Sequence, residues 1–282
     1  MKTWEEEIRE ILKPADLCGI RKLYRYRSLE SPENGSKESR ELERIFTSRE
    51  IWMPKPSDFN DPFECQPKLI LGLGRLGISS YLRKLENRRL SYTDETTRKR
   101  LLKEAKEKLY SDPHGVAKNS YEQFLHNTGL YCLSEKNDDI LMWSHYASGH
   151  RGLCLEFDPA IDAQFANRYL FGSSLQVIYS EERPVFNVAH IGKPREYQKA
   201  LLTKSIHWRY EKEWRIIKTS LEGGPGPKPF HSRSMTGIIF GAIISPENKQ
   251  KIINWIRRYP TKLSLYQAKI NKVKFKLDIE PI

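Results

Sequence analysis

Long apolar runs are missing from this 282-residue chain. No stretch approaches the ~20 apolar residues that a membrane-spanning helix needs, so no membrane partner is expected. The opening segment, MKTWEEEIREILKP, is acidic and amphipathic, unlike a secretory leader. A cytosolic location is the resulting expectation. Cysteine is sparse. Cys18, Cys65, Cys132 and Cys154 include no CxxC pair, which argues against a zinc knuckle or a redox pair. Cys132 and Cys154 sit in apolar, strand-like runs and are expected as buried free thiols. No internal repeat is visible, and no Walker loop, GxGxxG, HExxH or GxSxG signature occurs. Apolar residues make up only 38%, yet six Trp, fourteen Tyr and eleven Phe can close a core.

Positive charge is in excess, with a formal net charge of +12. Residues 74–126 hold 12 Lys/Arg against 7 Asp/Glu, and residues 247–282 hold 9 against 3. The two segments together carry 11 of the 12 excess charges, so the remainder is almost neutral. Two basic segments flanking a neutral core suit nucleic acid or another polyanion, and equally serve solubility.

The pattern of apolar residues predicts an α+β fold. It has mixed or mainly antiparallel sheets forming a central cleft, in a single domain over 1–282 with a helical insertion at 74–126. Thr3 caps a predicted helix from Trp4 to Leu12, which Pro14 stops. Strands are predicted over Lys22–Leu29, Glu50–Met53, Gly129–Glu135, Gly152–Asp158, Ser174–Glu181 and Tyr210–Ile217. Thr93 and Asp138 are predicted helix caps, and another helix is placed from about His190 to Ser205. Glu222–Pro229, rich in glycine and proline, reads as a mobile loop. A buried strand, TGIIFGAII, leads to a helix started by Ser245 and Pro246. The alternation in KVKFKLDIE puts Val273, Phe275, Leu277 and Ile279 on one strand face.

Three clusters carry candidate chemistry. In EKEWR, strand periodicity places Glu211, Glu213 and Arg215 on one face. Two carboxylates kept ionised by a nearby guanidinium suit a sugar hydroxyl and a developing positive charge at an anomeric carbon. A solvated edge strand explains the same pattern. In YRYR, Arg25 and Arg27 share a face and offer bidentate donors to phosphate, unless the tyrosines simply pack inward. In ILMWSHYASGHRGLCLEFDP, most residues read as helix-to-strand packing, with His145, Tyr146 and Arg151 left as site candidates. A metal site from His145, His150 and Cys154 matches no usual ligand spacing, and no metal is expected there. Asn60-Asp61-Pro62-Phe63-Glu64 reads chiefly as a turn.

The motifs LYRYRSL, FNDPFE, LSEKNDDILMWSHYASGHRGLCLEFD, VIYSEERP, LLTKS and YEKEWRII follow one another between Leu23 and Ala242. Together they resemble the bacterial domain of unknown function 2971 family. At a second level, an early Arg (Arg25 or Arg27), then Ser134, then Glu211-x-Glu213 resembles the order of motifs in ADP-ribosyltransferases of the arginine–serine–glutamate type. Where that family usually has Ser-Thr-Ser, this chain has Leu133-Ser134-Glu135. This resemblance implies NAD as cofactor, held between two sheets. Arg27 would grip the pyrophosphate, Tyr26 or Trp143 would stack on nicotinamide, and Ser134 would support the strand geometry. Glu213 would hold the ribose 2′-hydroxyl and Glu211 would orient the acceptor.

The leading expectation is therefore an NAD-using ADP-ribosyl transfer enzyme acting on a nucleic acid or protein, with the Glu222–Pro229 loop gating the site. The second is a nucleic-acid-binding module or metal-dependent nuclease, with Asp61, Glu64 and Glu156 as its acids. The third is a non-catalytic partner in a phage-defence or toxin system.

Overall fold

The computed structural model describes residues 12–29, 37–70, 79, 81–83, 86–87, 93–165, 170–187 and 194–282. The helix expected over Trp4 to Leu12 falls outside this set, Leu12 apart. The strands are β1 (Leu23–Arg27), β2 (Glu50–Met53), β3 (Lys68–Ile70), β4 (Gly129–Ser134), β5 (Leu153–Phe157), β6 (Leu175–Gln176), β7 (Ile178–Ser180) and β8 (Val185–Asn187). They continue with β9 (Thr203–Ser205), β10 (Glu213–Lys218), β11 (Gly226–Pro229), β12 (Met235–Phe240), β13 (Ser264–Ile270) and β14 (Leu277–Pro281). The helices are α1 (Lys37–Thr47), α2 (Glu95–Ser111), α3 (Pro113–His126), α4 (Ile140–Tyr146), α5 (Pro159–Asp162), α6 (Pro194–Leu202) and α7 (Pro246–Ile256). The α+β class is as the pattern predicts. No described helix is long and apolar enough to cross a membrane.

The chain groups into two compact units, residues 1–54, 129–178 and 207–282 in the first and 55–128 with 179–206 in the second. The first is built on an eight-stranded sheet in the order β14-β13-β12-β5-β1-β4-β10-β6. Every pairing in it is antiparallel except β12 with β13, which are joined through α7. Ser245 caps α7 through Asn248 N at 3.2 Å, with Pro246 at the first helical position, as expected.

Strand alternation gives this sheet two different faces. On one, Leu23, Leu133, Leu155, Phe157, Trp214, Ile216 and Ile238 join a core with Ile45 and Phe46 of α1 and Ile252 and Trp255 of α7. Phe157 stacks on Phe171 at 3.9 Å, and Phe46 on Trp255 at 5.8 Å. On the other, α4 covers the centre of the sheet. Trp143 meets Tyr26 edge-on at 5.2 Å, over Cys154 and Ile239. Asp139, rather than Asp138, caps α4, because its carboxylate reaches Leu141 N and Met142 N at 2.9 and 3.0 Å.

Two local expectations are corrected here. Glu222–Pro229 is not a mobile loop: Gly226–Pro229 pairs residue by residue with Glu50–Met53 of β2. A two-stranded ribbon admits Pro227 and Pro229 because only half of its backbone groups face the partner. Nor does the last strand begin at Lys272. Val273 and Phe275 lie in a turn and are exposed, and only Leu277 and Ile279 of the alternating set pack on the sheet.

The second unit contains the expected helices and more. Asp94, not Thr93, caps α2 by accepting from Thr97 N at 2.9 Å. Pro113 opens α3, whose Tyr121 donates to the Cys65 carbonyl at 2.9 Å and packs on Phe186 of β8. β8 pairs in parallel with β3. The helix predicted to Ser205 ends at Leu202, and Thr203–Ser205 is strand β9.

Candidate functional site

Register across the first unit's sheet creates a polar row. Tyr24 stands opposite Glu156 on one side and Ser134 on the other, and Ser134 stands opposite Glu213. Gly237 lies across from Glu156, completing a row five strands wide. A Cβ at 237 would stand 3.0 Å from the Ser264 carbonyl and 3.3 Å from Glu156 Oε1, so glycine permits the close approach of β13 and leaves that carboxylate its room. Glu156 accepts from Thr236 Oγ1 at 2.8 Å, Lys22 Nζ at 2.9 Å and Tyr24 Oη at 3.3 Å. Burial and the adjacent Glu156 charge push the Tyr24 hydroxyl well above the ordinary tyrosine range, so it remains a proton donor. This end of the row is tied within the sheet.

At the other end stand Glu213 and Arg215, two residues apart on one strand face as the sequence predicts. Arg215 Nε and Nη2 donate to the two oxygens of Glu213 at 2.7 and 3.1 Å. Their side chains are 0% and 3% exposed. Burial pulls the guanidinium down to about 9, still above neutral pH, so Arg215 stays charged.

Glu211 does not share that strand face. It ends a 3-10 turn, Ile206–Glu211, and the next residue, Lys212, adopts a left-handed φ of 46°. The kink turns Lys212 into solvent and sends both flanking carboxylates inward, each 3% exposed. Non-glycine residues pay about 1–3 kcal/mol for such a backbone, and such strain often marks functional positions. Ser134 holds the kink. Its hydroxyl donates to the Glu211 carbonyl at 2.6 Å and accepts from Lys136 N at 2.9 Å. Tyr146, from α4, donates to Glu211 Oε1 at 2.7 Å. Half-buried Tyr146, Trp208 and Tyr210 and exposed His145 form an aromatic rim beside it, with Trp208 6.3 Å from His145 and 6.0 Å from Tyr210.

The two arginines of YRYR part company. β1 and β4 pair only at Tyr24 and Ser134, and Arg25 Nη1 takes the Cys132 carbonyl at 2.9 Å beyond that point. Its guanidinium lies 4.9 Å over the Tyr131 ring. Burial works against this charge, but Tyr131, Cys132, Glu213 and Tyr146 outweigh it and raise the guanidinium above its ordinary value. Arg25 Nε and Tyr131 Oη are buried with no hydrogen-bond partner among the described residues. Arg27 instead pairs with Glu41 of α1 at 3.3 Å. Alternation starts both arginines on the face opposite Ser134 and Glu213; the Glu41 pair keeps Arg27 there, whereas the Arg25 side chain turns to the Cys132 carbonyl.

Other expectations are corrected by burial. Trp143 is sealed in the core, with its Nε1 on the Asn137 carbonyl at 2.8 Å, and cannot stack on a ligand. Tyr26 is buried likewise, its hydroxyl donating to the Lys136 carbonyl at 2.8 Å. Arg151 is exposed, and among the described residues its guanidinium reaches the Gly149 carbonyl, at 3.4 Å. Trp208 and Tyr210 were not singled out by sequence reasoning. Their spacing to Glu211 is the signal that would have found them.

Of the acids considered for a nuclease, Asp61 caps its own turn through Phe63 N at 2.9 Å, and Glu64 pairs with Lys204 at 3.6 Å in the second unit. Glu156 belongs to the first unit and to the row above. Among the described residues no group of three or more His, Cys, Asp or Glu is placed to hold a metal ion. All four cysteines are free thiols, Cys154 and Cys65 buried, Cys132 half-buried and Cys18 exposed. In α2 and α3, Lys99, Arg100, Lys103 and Lys118 each pair with a glutamate one turn away, which offsets part of the basic charge there.

Residues 142–216 match the profile of a family described as "Protein of unknown function (DUF2971)". The match takes in Tyr146, Glu156, Glu211, Glu213 and Arg215 and supports the family resemblance over that stretch. No curated protein matches the chain, and no solved structure does.

Proposed function

We propose that the Glu211–Glu213 centre is an N-glycosyl transfer site that takes an NAD-type dinucleotide and passes its ADP-ribosyl group to an acceptor. The carrying observation is a pair of buried carboxylates, each 3% exposed and each held by a donor, beside an aromatic rim. Buried carboxylates suit ribose hydroxyls, and half-exposed rings suit a flat heterocycle. In the reaction the bond from ribose C1′ to the nicotinamide nitrogen breaks. Its electron pair leaves with nicotinamide, which becomes neutral, and positive charge spreads over C1′ and the ring oxygen. A fixed anion beside that centre stabilises the charge more than the ground state. The acceptor then attacks C1′ and gives up a proton.

Glu211 is the carboxylate assigned to touch the ribose, since its half-buried partner Tyr146, at the rim, can turn aside to uncover it. Glu213, clamped by Arg215, supplies fixed negative charge behind it. Arg25 replaces Arg27 as the guanidinium near the acids, because its charge and that of Glu213 act on each other. Tyr146, Trp208 and Tyr210 replace Trp143 and Tyr26 as stacking residues.

The test is nicotinamide release from NAD, alone and with nucleic acid or protein acceptors, beside ligand-induced shifts in thermal melting. Glu211→Gln is expected to lower turnover by about 10²–10³-fold while preserving the melting shift, as loss of one preorganised electrostatic group does. A wild-type chain that neither binds nor consumes NAD under these conditions overturns the proposal.

A further inference from the structure

The turn from β13 to β14 has the sequence Asn271-Lys272-Val273-Lys274-Phe275-Lys276. Val273 is 90% exposed and Phe275 fully exposed. Large apolar side chains are normally withdrawn from water, and an exposed cluster of them marks an interaction surface. Here the backbone holds them out. Asn271 Oδ1 accepts from Val273 N at 2.9 Å and from Lys274 N at 2.7 Å. Its Nδ2 donates to Asp278 Oδ2 at 2.6 Å, and Asn271 N closes the turn on the Lys276 carbonyl at 3.1 Å.

Exposed Ile140, Ile243 and Ile270 line the same hollow of about 440 Å³ as Val273 and Phe275. Lysines surround this apolar tip. Lys276 pairs with Asp278 and Lys269 with Glu280, whereas Lys272 and Lys274 have no ion-pair partner among the described residues.

We infer that this turn is a docking surface for an anionic phospholipid membrane, on which it rests without spanning. A rigid apolar tip ringed by lysines suits insertion at the headgroup boundary, with the ammonium groups reaching lipid phosphates. A second copy of the chain would set lysine against lysine. Single-stranded nucleic acid would use stacking rings, and four of these five apolar side chains are aliphatic. The inference is independent of the glycosyl-transfer reading.

Vesicle flotation tests it, with phosphatidylcholine vesicles and with vesicles of about one-third phosphatidylserine, each at low and physiological salt. The full chain is expected to float with the anionic vesicles only, and more strongly at low salt. Val273→Ser with Phe275→Ser, and separately Lys272→Gln with Lys274→Gln, are each expected to weaken partitioning on the order of tenfold or more. Melting should be unchanged, since these side chains contact solvent. Failure of the wild type to float with anionic vesicles overturns the proposal. So does flotation of the serine variant equal to wild type. A fluorescent single-stranded oligonucleotide that is bound by the wild type and lost with the serine variant, in the absence of vesicle binding, also overturns it and assigns the surface to nucleic acid.

Discussion

The two faces of the eight-stranded sheet are made from the same strands and do opposite work. One is paved with Leu23, Leu133, Leu155, Phe157 and Ile238, and its cohesion depends on filled volume. The other packs an apolar cluster under α4 and beside it carries Glu156, Tyr24, Ser134 and Glu213 in one row, whose cohesion depends on matched donors and acceptors. An apolar face tolerates a change of shape better than a polar row tolerates a change of partner. A missing methylene leaves a small void, but a missing partner leaves a buried charge. The polar face is therefore the place where the chain can hold a reactive arrangement, and the apolar face is what keeps that arrangement in register.

The largest test of this contrast is the buried pair. Glu213→Leu, which takes the paired anion away from the buried Arg215 guanidinium, is expected to cost about 3–5 kcal/mol in urea unfolding, whereas Glu213→Leu with Arg215→Met should recover most of it. On the apolar face Leu155→Ala should cost about 2–5 kcal/mol by cavity formation, with no such rescue from a second truncation. A double replacement as unstable as the single one would break the comparison. Glu213→Gln belongs with the destabilising changes, because near-isosteric shape does not restore the anion that Arg215 holds.

A smaller effect is expected at Ser134. Ser134→Ala removes the donor to the Glu211 carbonyl and should cost about 1–3 kcal/mol, the range for a buried acceptor left unsatisfied. It should also loosen the kink, which deuterium exchange at residues 210–214 would report. Exchange there unchanged from wild type would mean that the kink is held by something other than this hydroxyl.

The smallest concerns Lys212. Lys212→Gly relieves a left-handed backbone and is expected to change stability by no more than about 1 kcal/mol, in the stabilising direction. Clear destabilisation in the same unfolding assay would show that the Lys212 side chain contributes more than its conformation costs.

Much of this molecule was legible in one dimension. The strands through Arg25, Leu133, Leu155 and Ile238 follow from apolar runs and alternation, and the start of α7 follows from Ser245 and Pro246. The pairing of Glu213 with Arg215 also follows, since residues two apart on a strand share a face. The misreadings have two causes, one distant and one local. Gly226–Pro229 reads as a loop on its composition, and only β2 supplies the partner that makes it a strand. Val273 and Phe275 alternate like a strand, but Asn271 spends its side chain on a turn.

What the sequence by itself determined is what depends on the nearest neighbours alone: the side-chain period along most strands and the helix start at Ser245 and Pro246. Tertiary structure alone decided that Tyr24 faces both Glu156 and Ser134, that Arg25 rather than Arg27 lies near the acids, and that Glu211 turns inward beside Tyr146. Alternation says which residues share a face of one strand, but not where that strand stops sliding against the next. Register is set by pairing between segments that are distant in the chain. A shift of one residue would send Tyr24 to the opposite face and dismantle the row.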